Sequence, residues 1–167
     1  QNITSISGVP TWTLVLIKEI LKITKAKNIL EVWPNLELFI HGAVSFDPYR
    51  QLFKELIPSK NMNYLETYNA SEGFFAFQDR SDSEGLLLMT NHGVYYEFED
   101  LSNRTIVSLE NVKIGNQYAL IISTYSGLWR YKVGDTVTFI SLDPYKILIT
   151  GRTKQFINIA GEELMIQ

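Results

Sequence analysis

The rhythm of apolar and polar residues changes once along this chain, near residue 73. Before that point it alternates between helix and strand periods. Trp12, Val15, Leu16, Ile20 and Ile23 form a broad apolar helix surface, and Pro10 suits a first helical turn, so a helix is expected from Pro10 to about Lys27. Leu36–Ile40 is an apolar run of strand length, and His41 to Phe46 reads as a loop. Asp47 as cap, Pro48 in the first position and Pro58 beyond the end predict a second helix, and Met62–Thr67 the next strand.

This order is a β-α-β unit, so the two strands should be parallel and joined by a right-handed crossover. The loops after Ile40 and after Thr67 then lie on one edge of the sheet, at the carboxyl ends of the strands, where open parallel sheets bind ligands. The second of these is Tyr68-Asn69-Ala70-Ser71-Glu72-Gly73. It combines a ring, a hydroxyl and a carboxylate, a set able to stack on a base, touch a phosphate and hold a magnesium ion.

From Phe74 onward short runs punctuated by Gly, Asn and Asp predict strands over 74–77, 86–89, 94–98, 105–109, 118–123, 128–140 and 145–150. The fold class expected is mixed α/β: a parallel β-α-β portion followed by a mostly antiparallel sheet or a small distorted barrel.

Composition narrows the function. In 167 residues, 46% hydrophobic and 20% charged, there is enough chain for a proper core. A net charge of −3 supplies no electrostatic footprint for nucleic acid or an anionic membrane. No apolar stretch reaches the ~18 residues of a membrane span. Without cysteine, disulfides and thiolate metal sites are excluded, and a reducing cytoplasm fits best. Sequons at Asn2, Asn69 and Asn103 are near chance for this composition. The chain starts without methionine and stops shortly after Gly161-Glu162-Glu163-Leu164-Met165, so we expect a fragment of a larger protein.

Two further stretches carry candidate chemistry. In Leu128–Phe139 a period of two places Trp129, Tyr131, Val133, Val137 and Phe139 on one apolar face, and Asp135 falls on it too. Either Gly134 makes a bulge that turns Asp135 outward, or specific donors hold the carboxylate inside, or Gly134-Asp135 simply closes a hairpin. A fixed Asp suits sugar hydroxyls. The segment from Gly151 to Gly161 is a hinge or a turn into a strand, and Arg152 in it could meet phosphate or ribose. His41 and His92 have no zinc-type spacing, and neither is expected to bind metal.

In this order the three stretches resemble the adenylate-forming superfamily of luciferases, acyl-CoA synthetases and amino-acid-activating domains. Within it the auxin-responsive acyl-acid amido synthetases and their bacterial relatives are most similar. Thr67-Tyr68-Asn69-Ala70-Ser71-Glu72 resembles that family's second nucleotide motif, and Trp129-Arg130-Tyr131-Lys132-Val133-Gly134-Asp135 its third. Gly151-Arg152-Thr153-Lys154-Gln155-Phe156-Ile157-Asn158 is similar to the hinge before a small C-terminal domain, and Glu31-Val32-Trp33-Pro34-Asn35-Leu36 extends the likeness.

The resemblance implies ATP/AMP and Mg2+ as cofactors, and a small-molecule carboxylic acid and an amine, such as an amino acid, as partners. By it, Thr67 and Tyr68 would line an adenine pocket with Gly42 and Ala43. Ser71 would contact the α-phosphate, Glu72 would ligate magnesium, Asp135 would bind ribose, and Arg152 would close over the nucleotide. Residues 1–73 would carry the parallel portion with its nucleotide-edge loops, 74–150 the antiparallel portion, and 151–167 the hinge and the start of a further domain. The family's Ser/Thr/Gly-rich phosphate loop occurs nowhere in this sequence, so no measurable ATP–pyrophosphate exchange is expected of the chain alone. A thioester-forming acyl-CoA ligase, or a nucleotide-binding module without catalysis, are the competing readings.

Overall fold

A computed structural model of the chain describes residues 2–81 and 84–153, together with the backbone of two short strands at 156–159 and 162–165. The chain divides into two compact units, Gln1–Leu86 and Leu87–Gln167.

The first unit contains strands β1 (Ser5–Gly8), β2 (Leu38–Gly42), β3 (Asn63–Ala70) and β4 (Gly73–Phe77), with helices α1 (Pro10–Thr24) and α2 (Arg50–Leu56). β1 pairs parallel with β2 and β2 parallel with β3, so two successive β-α-β crossovers build it rather than one. β1 was not anticipated: Ser5-Ile6-Ser7-Gly8 has one apolar residue in four, and its pairing to β2 makes it a strand. β3 then pairs antiparallel with β4.

Pro10 begins α1 as expected, and Lys25, in the left-handed conformation at φ 58°, ends it short of Lys27. Asp47 does not cap α2. It begins a 3-10 turn, Asp47–Tyr49, that runs straight into the helix, and its carboxylate instead pairs with Arg50 at 3.1 Å. The second proline-bounded helix is therefore entered through a tighter turn, and a side chain drawn to a guanidinium leaves the backbone donors alone.

Both helices pack over one face of the sheet. Leu14 and Ile17 from α1, Phe39 from β2, Phe53 from α2 and Phe46 ahead of it share a single core with Ile29, Leu36 and Ile57. Phe39 stacks on Phe53 with ring centroids 4.8 Å apart, and Phe46 lies 5.2 Å from Phe53. Fully burying each of these rings contributes on the order of 2–3 kcal/mol. That fastening holds the carboxyl ends of β2 and β3 in place.

The second unit is antiparallel, as the run of short strands predicted. After β5 (Leu86–Leu88) come β6 (Val94–Asp100), β7 (Ile106–Ser108), β8 (Gln117–Thr124), β9 (Tyr131–Leu142) and β10 (Tyr145–Arg152). These last five lie side by side in the order β10-β9-β8-β6-β7. Phe98, Tyr118 and Phe139 meet edge to face at 5.0–6.0 Å, and the Tyr118 hydroxyl accepts the Lys113 backbone N–H at 2.9 Å. β9 starts three residues later than predicted. Trp129 lies before it at 82% exposure, and Tyr131 is 40% exposed, so only Val137 and Phe139 of the expected apolar face reach the core. β11 (Phe156–Ile159) and β12 (Glu162–Met165) form an antiparallel backbone pair. The remainder of the Gly151–Gly161 stretch, including Lys154, Gln155, Ala160 and Gly161, lies outside the described residues.

Candidate functional site

The carboxyl ends of β2 and β3 are drawn unusually close. Gly42 is the register partner of Thr67, and a Cβ placed on Gly42 would come 2.5 Å from the Thr67 carbonyl oxygen and 3.1 Å from its Oγ1. Only glycine permits that approach. The Thr67 hydroxyl closes it by donating to the His41 carbonyl at 3.1 Å. Ala43 follows at φ 69°, a left-handed conformation that costs a non-glycine residue about 1 kcal/mol. It turns the chain out of the sheet and leaves Ala43 exposed. Gly42, Ala43 and Thr67 thus meet at one corner.

His41 is buried behind that corner, 3% exposed, and stacks on Phe46 at 4.1 Å. Burial first and the nearby Arg50 second push its pKa down to about 4, with Asp47 partly opposing both. The imidazole is neutral at pH 7 and serves the core. Glu66, on the same face of β3, has its pKa raised, first by burial and then by Asp47, with Arg50 opposing.

The stretch expected as a ligand loop is mostly strand. β3 runs on to Ala70, past its parallel partner, and Ala70 pairs with Gly73, so only Ser71 and Glu72 form the turn. The residues keep the edge position predicted for them, but on a two-residue hairpin tip. Ser71 is exposed and Glu72 half-buried. Side chains alternate along β3, so Thr67 and Asn69 share one face and Tyr68 takes the other. The Tyr68 ring is 4% exposed and sits edge-on to Phe75 at 5.1 Å. Thr67 and Tyr68, neighbours in sequence, are therefore not neighbours on one surface.

In the second unit Gly134 makes a bulge, but the bulge does not turn Asp135 outward. β9 carries extra residues between the pairs Ile121↔Lys132 and Ala119↔Thr136, with Gly134 at φ 95°, so a bulge is present. The strand nevertheless continues through it, and no hairpin closes there. Asp135 stays 8% exposed and accepts from Arg152 Nε at 3.1 Å; these two residues are register partners across β9 and β10. Thr153 fastens the same corner, donating from its backbone N–H (2.7 Å) and its hydroxyl (3.1 Å) to the Gly134 carbonyl.

Beside this pair lies an open depression of about 410 Å³ lined by Arg104, Gln117, Thr136, Thr150, Gly151 and Arg152 among others. Gln117 donates to Thr150 at 3.0 Å, and the Thr136 and Thr150 hydroxyls are 3.0 Å apart. Sequence reasoning missed this polar row, in which Thr136 is buried and Gln117 and Thr150 are exposed; its one signal was threonine within strands otherwise rich in apolar residues.

No cluster of three or more His, Asp or Glu side chains able to hold a metal occurs among the described residues. Magnesium commonly takes one or two protein carboxylates and completes its shell with phosphate oxygens and water, so a single half-buried Glu72 on a tight turn fits that usage. No helix among the described residues is long and apolar enough to cross a membrane.

Known proteins place this architecture. Among solved structures, an acyl acid amido synthetase, GH3.15, superposes over 81% of this chain and 25% of its own, with a TM-score of 0.63 at 22% identity. A 2-hydroxyisobutyryl-CoA ligase in complex with 2-HIB-AMP and CoA covers 96% of this chain and 35% of its own, with a TM-score of 0.68 at 17% identity. These likenesses establish the fold of the adenylate-forming enzymes. In sequence, the probable indole-3-acetic acid-amido synthetase GH3.1 of Arabidopsis thaliana is 31% identical over 117 residues, 65% of this chain and 19% of that protein. The indole-3-acetic acid-amido synthetase GH3.8 of Oryza sativa subsp. indica is 31% identical over 125 residues, 65% of this chain and 20% of that protein. The chain spans about a fifth of the length of these curated relatives. The GH3 family N-terminal domain matches residues 1–62 and the GH3 family central domain residues 87–152, and the chain belongs to the GH3 family.

Proposed function

We propose that this chain is the nucleotide-binding portion of an ATP-dependent ligase that adenylates a carboxylic acid and passes the acyl group to an amine. The observation that carries the reading is the Ser71–Glu72 turn, held at the carboxyl edge of a parallel strand pair inside a GH3-type chain. The relatives' amido synthetase activity supports the amine as acceptor.

In this reading Gly42, Ala43 and Thr67 offer backbone and a fixed hydroxyl to the adenine, and Tyr68, whose ring lies on the other face of β3 against Phe75, contributes backbone. Ser71 donates its hydroxyl to the α-phosphate. Glu72 holds Mg2+, which would offset charge developing on the phosphate oxygens as the carboxylate attacks the α-phosphorus and pyrophosphate leaves. Asp135 accepts from the ribose hydroxyls, and Arg152, already ion-paired to it, presents a guanidinium to the nucleotide. The amine then attacks the acyl-adenylate and releases AMP. Catalysis belongs to a protein of the relatives' full length, working in the cytoplasm. The chain alone, whose sequence contains no Ser/Thr/Gly-rich phosphate loop, is expected to give no measurable ATP–pyrophosphate exchange.

Pyrophosphate release by the longer protein, screened over carboxylates with amino acids or CoA as acceptor, tests the reaction. Release completed by an amino acid supports amide synthesis, and release completed only by CoA replaces it with thioester formation. Glu72→Ala should cut adenylation at least ~100-fold without loss of folding. Adenylation at full rate in that variant removes Glu72 from the metal.

A further inference from the structure

We propose that the depression on the second unit holds a small oxyanion, a carboxylate or a phosphate group, between the Arg104 and Arg152 guanidiniums and over the Thr136–Thr150 hydroxyl pair. Of the residues given to the nucleotide above, Arg152 alone is among its described lining, so the site is a further one.

Arg104 is the residue that marks it. Its φ is 63°, a left-handed conformation that costs a residue with a side chain about 1 kcal/mol. The turn between β6 and β7 imposes that conformation and is itself firmly built. The buried Asp100 carboxylate accepts from the Ser102 backbone N–H (2.9 Å), the Ser102 hydroxyl (2.6 Å) and the Asn116 amide (2.9 Å). The Arg104 backbone N–H donates to the Asp100 carbonyl at 2.8 Å. Glycine or asparagine would take this position at less cost. What the strained position obtains is a guanidinium at the rim of the depression, and such outliers cluster where a ligand is held. Glu99 does not account for it. Lys132 already meets that carboxylate at 2.5 Å, whereas Arg104 stands 3.4 Å away with its side chain 73% exposed.

The floor of the depression has a proton to give. Gln117 donates to Thr150 at 3.0 Å, and the Thr136 and Thr150 hydroxyls share one hydrogen bond at 3.0 Å. Two hydroxyls carry two protons, and whichever of them donates, the other's proton remains. Among the described residues no acceptor takes it. The charges agree. Arg104, Lys132 and Arg152 stand against Glu99 and Asp135, three cations to two carboxylates, which leaves one positive charge in excess. A guanidinium fork matches the paired oxygens of a carboxylate or phosphate.

The test titrates the 167-residue chain with sodium acetate, sodium phosphate and sodium chloride at equal ionic strength, followed by amide NMR. Acetate or phosphate should give saturable shifts at Gln117, Thr136, Thr150 and Gly151, and chloride should not. Tighter phosphate binding assigns the site to a phosphoryl group and tighter acetate binding to a substrate carboxylate; either supports it. Arg104→Asn keeps a residue suited to the left-handed turn and removes the guanidinium. It should weaken the oxyanion about tenfold or more with no loss of stability in urea, and Arg104→Lys should fall between it and the wild type. Equal shifts with chloride would reduce the effect to diffuse surface charge and overturn the proposal. So would wild-type affinity in Arg104→Asn, or no saturable shift with any of the three salts. Arg104 has no place in the nucleotide reading, so these failures leave that reading intact.

Discussion

Arg152 donates from Nε to Asp135 Oδ1 at 3.1 Å, joining two residues that lie 17 positions apart and sit opposite one another on β10 and β9. Asp135 is 8% exposed, so removing Arg152 leaves a desolvated carboxylate with one donor fewer. Because the Arg152 side chain is about half exposed, solvent screens the pair and the cost falls below that of a fully buried one. Arg152→Ala should destabilise the second unit by about 1–2 kcal/mol, and Asp135→Asn should rescue part of it. A double-mutant cycle in urea checks this, with a coupling energy near zero as the contrary result.

Gly42→Ala is expected to damage the β2–β3 corner directly. The added methyl meets a backbone carbonyl at 2.5 Å, and backbone cannot swing aside as a side-chain tip can. We expect a loss of about 2–3 kcal/mol, with faster hydrogen exchange at Thr67 and Tyr68. Unchanged exchange there would mean that the two strands separate without cost.

His41 sets a pH dependence. Its pKa is lowered to about 4 in the folded chain from about 6.5 unfolded, so the unfolded state takes up the proton first as pH falls. The stabilisation is complete above pH 6.5 and is lost progressively down to about pH 4, by about 3 kcal/mol. Glu66, whose pKa is raised, works in the opposite sense over its own titration range. His41→Phe should flatten the stability profile between pH 6.5 and 4. The same slope in that variant would assign the effect to other groups.

Gly134 supplies a backbone conformation rather than space. Nothing lies within 4 Å of a Cβ placed there, but φ is 95°. Gly134→Ala should cost about 1–2 kcal/mol from backbone strain alone. It should also weaken the contacts from Thr153 to the Gly134 carbonyl and the neighbouring Asp135–Arg152 pair. Urea denaturation of this variant, alone and combined with Arg152→Ala, reads that coupling as a departure from additivity.

Much of this architecture could be read from the residues, and the failures have physical causes. Proline positions gave both helices, and the short runs after Phe74 gave the antiparallel unit, because those signals are local. β1 was missed because a four-residue strand with one apolar side chain exists through its pairing with β2. Asp47 looked like a cap, but whether a carboxylate turns to its own backbone or to Arg50 depends on where the next turn carries the guanidinium. At the site, spacing marked Asp135 and Arg152 separately and could not show that each is the other's partner. That fact needs the register of β9 against β10. Residues Tyr68 to Gly73 were placed at the correct edge, yet the alternation that divides Thr67 from Tyr68 became visible only once β3 was seen to run to Ala70.

The reach of β3 past its parallel partner has a consequence for how a ligand would be received. A free loop can adapt to what it binds and loses entropy in doing so. Ser71 and Glu72 are instead the tip of a paired hairpin, with Ala70 opposite Gly73, Asn69 opposite Phe74, and an extra residue, Phe75, before the Tyr68–Ala76 pair. Little conformational freedom remains for binding to remove, so a hydroxyl and a carboxylate offered here act as a rigid template. Any induced adjustment between protein and ligand must then fall to segments other than this one.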